Sequence, residues 1–143
     1  MPPQVTMLLC DAAQAVGNKL YILGGGWSVT GPDPVPSALA LYIKVPWNEA
    51  NVRQRLRIEL LDADGHPVSA AGPSGDAPIQ IETEFEVGRP AGLTPGTPID
   101  VALAVTLGAL PIPPGGRYEW RLTVNGEAHE GWSAAFSTRP AAA

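Results

Sequence analysis

In four stretches of this chain every second residue is apolar and the residues between are polar, charged or small. Residues 53–60 set Leu56, Ile58 and Leu60 against Arg53, Arg55, Arg57 and Glu59. Residues 79–87 set Ile79, Ile81, Phe85 and Val87 against Gln80, Glu82, Glu84 and Glu86. Residues 117–124 set Tyr118, Trp120, Leu122 and Val124 against Arg117, Glu119, Arg121 and Thr123. Residues 38–45 gather Leu39, Leu41, Ile43 and Val45 opposite Tyr42 and Lys44. A helix, with a period of about 3.6 residues, would smear these side chains around its circumference, whereas a strand sends successive side chains to opposite faces. Each stretch therefore reads as a strand with one face to bury.

Four further runs, residues 5–10, 19–23, 99–107 and 132–138, are more apolar and read as short buried strands. In residues 99–107 a large face of Ile99, Val101, Leu103, Val105 and Leu107 backs onto a small face of Asp100, Ala102, Ala104 and Thr106. The sixteen glycines and sixteen prolines fall between these runs, which excludes a helical bundle and marks turns. Asn125-Gly126 predicts a two-residue hairpin joining residues 117–124 to residues 127–138, because both central positions of a type I′ turn need positive φ. Asp64-Gly65 and Gly17-Asn18 predict similar turns, and residues 48–52 a single helical turn with Asn48 as its N-cap. An isolated sheet of alternating strands would leave its apolar face wet, so a second sheet is expected. The expected fold is all-β: a two-sheet antiparallel sandwich of about eight strands, in one domain over residues 1–140, with residues 141–143 a disordered tail.

A net charge of −5 removes the electrostatic driver of nucleic-acid binding, so nucleic acid is not an expected partner. No apolar run reaches the length of a membrane-spanning helix, and the first residues lack the basic and apolar regions of a secretion signal, so a cytoplasmic protein without membrane contact is expected. The single cysteine, Cys10, lies in an apolar run and reads as a small buried hydrophobe.

Candidates for chemistry are few. Cys10, His66 and His129 are the only nitrogen and sulfur donors of metal-ligand type and share no ligand-like spacing, so no metal or other cofactor is expected. Asp62-Ala63-Asp64-Gly65 has part of a calcium-loop pattern but reads as a turn. Gly24-Gly25-Gly26 follows a strand yet opens no helix, so a bulge or close strand crossing under Trp27 is expected in place of a phosphate loop. Ser74, with His66 or His129, is the one combination available for nucleophilic catalysis, and no Gly-x-Ser-x-Gly elbow supports it.

Two features survive as candidate interaction surfaces. One is the row Arg53, Arg55, Arg57 with the row Glu82, Glu84, Glu86: on neighbouring strands they would pair as a structural ladder, and in different sheets each would be an open surface. The other is the set Trp27, Trp47 and Trp132 beside turns, where an indole is a lid on the end of the fold, a contact anchor or part of a sugar platform; Trp120 belongs to an inward face.

The segments Leu8-Leu9-Cys10-Asp11, Lys19 to Trp27, Val45-Pro46-Trp47-Asn48-Glu49 and Gly88-Arg89-Pro90 resemble a bacterial domain family of unknown function, nearly end to end. The resemblance implies a small cytoplasmic bacterial protein and assigns no catalytic residue. The stretch from Gly116 to Glu127 followed by Phe136-Ser137-Thr138 is similar to the last hairpin of an immunoglobulin-like sandwich, which bears on fold and not on activity. The expected function is a noncatalytic interaction or structural module with a protein partner. A second copy of the chain is a candidate partner, suggested by Tyr42, Leu8 and the small face at Ala102 and Ala104. The alternatives are a small-ligand or carbohydrate site at Trp27, Trp47 or Trp132, and then a hydrolase at Ser74.

Overall fold

A computed structural model describes residues 2–33 and 35–141; Met1, Pro34, Ala142 and Ala143 lie outside the described residues, so the expected tail falls largely outside them. The chain is all-β apart from one 3-10 turn at Trp47–Glu49. Its strands are β1 (Gln4–Cys10), β2 (Ala12–Val16), β3 (Lys19–Leu23), β4 (Val29–Thr30), β5 (Ser37–Val45), β6 (Gln54–Asp62), β7 (Ser69–Gly72), β8 (Gly75–Pro78), β9 (Gln80–Phe85), β10 (Ile99–Leu107), β11 (Arg117–Val124) and β12 (Ser133–Thr138). They make a three-stranded sheet β1-β5-β10, a five-stranded sheet β4-β12-β11-β6-β9 and two hairpins, β2-β3 and β7-β8. Every pairing is antiparallel except the short one between β12 and β4.

All eight expected strands are present, with ends within two residues of those read from the alternation. The count is higher because β2, β4, β7 and β8 also form. Strands β2, β7 and β8 are short and rich in Ala, Gly, Ser or Pro, with no large residue at every second position, and β4 has only two residues, so period-two patterning could not reveal them. The helical turn starts one residue before the expected one: Pro46 precedes it, Asn48 lies inside, and no side chain caps it. Pro46 is already at φ −57°, and its carbonyl accepts the Glu49 N–H at 2.9 Å.

The inward residues of both larger sheets enter one apolar cluster. Leu39, Leu41 and Ile43 of β5, Leu56, Ile58 and Leu60 of β6, and Trp120 and Leu122 of β11 have no exposed surface. Ile81 and Phe85 of β9, and Ile79 and Val87 flanking it, face the same way but are only half-buried, since β9 is the outermost strand of its sheet and hydrogen-bonds to β6 alone.

The three-stranded sheet is covered on its other face as well. Ala38 and Ala40 of β5 and Cys10 of β1 pack under Ala13, Leu20 and Ile22 of the β2-β3 hairpin. Small side chains let the hairpin approach. Its two turn residues, Gly17 and Asn18, both sit at φ 58°, and the Asn18 carboxamide donates to the Asp100 carbonyl at 2.8 Å and accepts the Ala102 N–H at 2.9 Å. Ala102 is buried by the chain itself, so it gives no support to a covering second copy.

Asn125 and Gly126, at φ 52° and 81°, make the expected two-residue turn, with Val124 and Glu127 exchanging backbone hydrogen bonds of 3.0 Å. Continuous pairing through residues 127–138 does not follow. Val124 faces Glu127 but Arg121 faces Ser133, so the register jumps by three residues where 128–131 bulge out of the ladder. The chain rejoins where the Leu122 N–H donates to the Trp132 carbonyl.

At the start of β11 the buried Tyr118 ring stacks on Phe136, and its hydroxyl reaches back to the Pro113 carbonyl at 3.3 Å. A Cβ at Gly116 would stand 2.7 Å from the Tyr118 hydroxyl oxygen and 2.8 Å from the ring itself. Gly116→Ala should therefore cost about 1–3 kcal/mol in urea unfolding, as an overpacked site does; an unchanged midpoint would mean the ring moves freely. Burial first, and then the adjacent Asp11 carboxylate, push the Cys10 thiol above its ordinary pKa, and it donates weakly to the Ala38 carbonyl at 3.4 Å. Cys10 should resist alkylation until the protein unfolds, and rapid labelling in native buffer would contradict its place beneath the hairpin.

Candidate interaction surface

The arginine and glutamate rows lie on adjacent strands of the five-stranded sheet. Register places Arg55 opposite Glu84 and Arg57 opposite Glu82. Arg53 Nε lies 3.5 Å from Glu84 Oε2, and Arg57 Nε lies 3.5 Å from Glu82 Oε1 and 3.6 Å from Glu59 Oε1. The short bond of Arg57 goes from Nη2 to the Gln80 amide oxygen at 2.6 Å; its Nε has charge partners but no hydrogen-bond acceptor. Arg53 and Arg57 thus pair with Glu84 and Glu82 on adjacent strands, and the alternative of two separated open rows does not hold. Arg55 and Glu86 stand outside the ion pairs found among the described residues.

The lattice continues across β11, where Arg121 Nη2 lies 3.3 Å from Glu119 Oε1. The charged side chains of β6 and β9, with Arg53 before β6, floor a concavity of about 680 Å³ that reaches the β11-β12 turn at Asn125 and Gly126, and the Arg121–Glu119 pair lies outside it. Asn125 ties that turn down: its amide N–H donates to the Arg55 carbonyl at 2.7 Å, its side-chain oxygen accepts the Arg55 N–H at 2.8 Å, and its Nδ2 donates to buried Gln54 at 2.6 Å. The rim is fixed by backbone contacts, while the exposed charges on the floor contribute about 0–1 kcal/mol per pair.

The three candidate tryptophans stand in three different concavities. Trp27 meets Phe136 edge-on at 5.8 Å and closes one end of the core as a lid. Trp132 is buried against the His129 ring at 4.5 Å. The Trp47 ring lies under the Arg89 guanidinium at 4.3 Å, and Arg89 Nη2 donates to the Trp47 carbonyl at 2.8 Å. Trp47 borders a groove of about 350 Å³ with Lys44 and Asn48. No common platform joins the three indoles.

The glycine run behaves as a close crossing: the Gly26 N–H donates to the Leu9 carbonyl at 2.7 Å, and a Cβ on Gly24 would collide with the Asp11 carboxylate. Ser74 is at the exposed β7-β8 turn, and no hydrogen bond joins it to either histidine among the described residues. Asp62, Asp64 and His66 bring ligand atoms within 4.8 Å of one another, a convergence the spacing did not suggest because the turn creates it. Asp62 Oδ1 is occupied by that turn, accepting the Asp64 and His66 N–H groups at 2.9 Å.

On the outer face of the three-stranded sheet, Tyr42 and Lys44 converge on Asp100. The Tyr42 hydroxyl faces the Asp100 carboxylate, and Lys44 Nζ lies 3.2 Å from Asp100 Oδ1. The Tyr42 hydroxyl, opposed by burial and helped by Lys44, holds the Asp100 carboxyl below its ordinary value. A carboxyl whose folded value is depressed adds stability above its unfolded pKa and loses it as pH falls through the folded one. Tyr42→Phe should move the Asp100 titration, followed by carboxyl NMR, back up toward the ordinary value and weaken this acid-side loss; an unmoved midpoint would remove Tyr42 as the cause.

Among curated proteins none matches the chain. Residues 5–134 match the family of unknown function DUF6941, a span that begins in β1 and ends in β12 and holds both candidate surfaces. With the match covering most of its length, the chain belongs to the DUF6941 family.

Proposed function

We propose that this chain is a noncatalytic protein-interaction module of the bacterial cytoplasm, built as an immunoglobulin-like sandwich and docking its partner on the charged face of β9, β6 and β11. The architecture is supported by strand order. Strands β1, β5 and β10 stand as A, B and E of an immunoglobulin domain, and β6, β11 and β12 as C, F and G. Tyr118 supports it too, since a tyrosine at the start of strand F bonding back to the preceding loop is a feature of that fold, and Trp120 fills the core two residues on. The cytoplasmic placement rests on the sequence resemblance; no helix among the described residues is long and apolar enough to cross a membrane.

The observation that carries the docking reading is the concavity floored by charges of both signs, with Arg55 inside it and outside the ion pairs found among the described residues. Mixed, patterned charge on a rigid rim selects a partner of complementary pattern and steers its approach. Self-association is the weaker branch: Leu8 is 40% exposed, but Tyr42 is engaged by Asp100 and Ala102 is covered by β2-β3. A second reading, small-ligand binding, has one observation in its favour, the Trp47 groove, and tryptophan fluorescence during ligand titration would respond if it is right.

A photoreactive amino acid placed at Arg55, and at Gln14 on the β2-β3 hairpin as control, tests the docking face. Irradiation in native cell extract should give a discrete protein adduct from position 55 and none from position 14. Adducts identical at both positions, or none at position 55, would remove the docking assignment.

A further inference from the structure

The two larger sheets leave four outer strands, and three of them are either very short or partly closed by the chain. Strand β4 has only two residues. On β1 the Leu9 carbonyl is taken by the Gly26 N–H. On β10 the Asn18 carboxamide stands in for a strand residue, pairing with both the Asp100 carbonyl and the Ala102 N–H. Strand β9 has no such closure among the described residues.

Which of its groups are open follows from the ladder. The Ile79 carbonyl accepts the Leu60 N–H and the Val87 carbonyl accepts the Asn51 N–H, so odd-numbered residues point their backbone toward β6. In an antiparallel strand the sides alternate, which turns the N–H and C=O of Gln80, Glu82 and Glu84 outward. Above this edge stand the carboxylates of Glu82 and Glu84, whose side chains are 56% and 46% exposed, followed by Glu86, which joins no ion pair among the described residues. Below it are Ile81 and Phe85, half-buried because no strand lies beyond them.

Resting on the interaction reading, we infer that β9 is a strand-addition site for an extended peptide in which basic residues alternate with apolar ones. The outward backbone supplies the ladder, the acidic row meets the basic residues, and Ile81 and Phe85 receive the apolar ones. A second copy of β9 is excluded as occupant, since antiparallel pairing would set glutamate against glutamate.

A labelled alternating Lys-Val octapeptide is the probe, with two controls: the same composition with its lysines contiguous, and the alternating peptide N-methylated at every second residue. Fluorescence anisotropy should show binding of the alternating peptide alone, and hydrogen exchange at the Gln80, Glu82 and Glu84 amides should slow at least about tenfold when it binds. Replacing all three glutamates (E82Q, E84Q, E86Q) should weaken it by about tenfold, as three exposed ion pairs can account for. Glu82→Pro should also abolish it, because proline there deletes one outward N–H and leaves the β6 ladder intact. Equal binding of the contiguous-lysine peptide, or binding without protection at those three amides, would overturn the inference. If the peptide fails while position 55 still gives its adduct, strand addition falls and the docking face stands; if both fail, both readings fall.

Discussion

Leucine, isoleucine and tryptophan side chains from both larger sheets share one apolar cluster, and the rest of the molecule is arranged by what that burial leaves outside. Burying a side chain of this size contributes about 1.5–3 kcal/mol, and each strand can offer the cluster only every second residue. The residues between are forced outward whatever their chemistry. At the centre Trp120 is fully buried with no acceptor for its indole N–H among the described residues, so its volume fills the site and its polar atom opposes the burial.

The outward residues of the two sheets meet different fates. On the three-stranded sheet those at one end are small, and the β2-β3 hairpin folds over them, burying Cys10, Ala38 and Ala40, while Tyr42, Lys44 and Asp100 at the other end stay outside it. On the five-stranded sheet they are charged and stay in water as a lattice of opposite signs. Small residues permit backbone approach, and charged ones prevent it because exposed pairs repay little of the cost of desolvation. The candidate surface is therefore on the sheet that the chain could not cover with itself.

The same logic reaches the sheet edges. The Asn18 carboxamide can replace a strand residue on β10 because its turn holds it at positive φ, which asparagine tolerates. Gly24, with no Cβ to strike Asp11, lets the chain turn back so that the Gly26 N–H reaches β1. On β9 the row of glutamates guards an otherwise open ladder by charge instead of by coverage.

Local sequence alone determined eight strands, four from period-two alternation with the face each buries and four from short apolar runs, and the turns at Gly17-Asn18, Asp64-Gly65 and Asn125-Gly126 from their residue types, because these follow from backbone geometry and from residues a few positions apart. The small-residue strands β2, β7 and β8 carry no such signal and exist through their partners across a turn. Whether the arginine row meets the glutamate row was equally out of reach of local pattern: Arg57 and Glu82 are twenty-five positions apart, and only the order of strands in the sheet makes them neighbours. The separation of Trp27, Trp47 and Trp132, the burial of Ala102 and the open edge of β9 were decided the same way, since each depends on which distant segment comes to lie alongside.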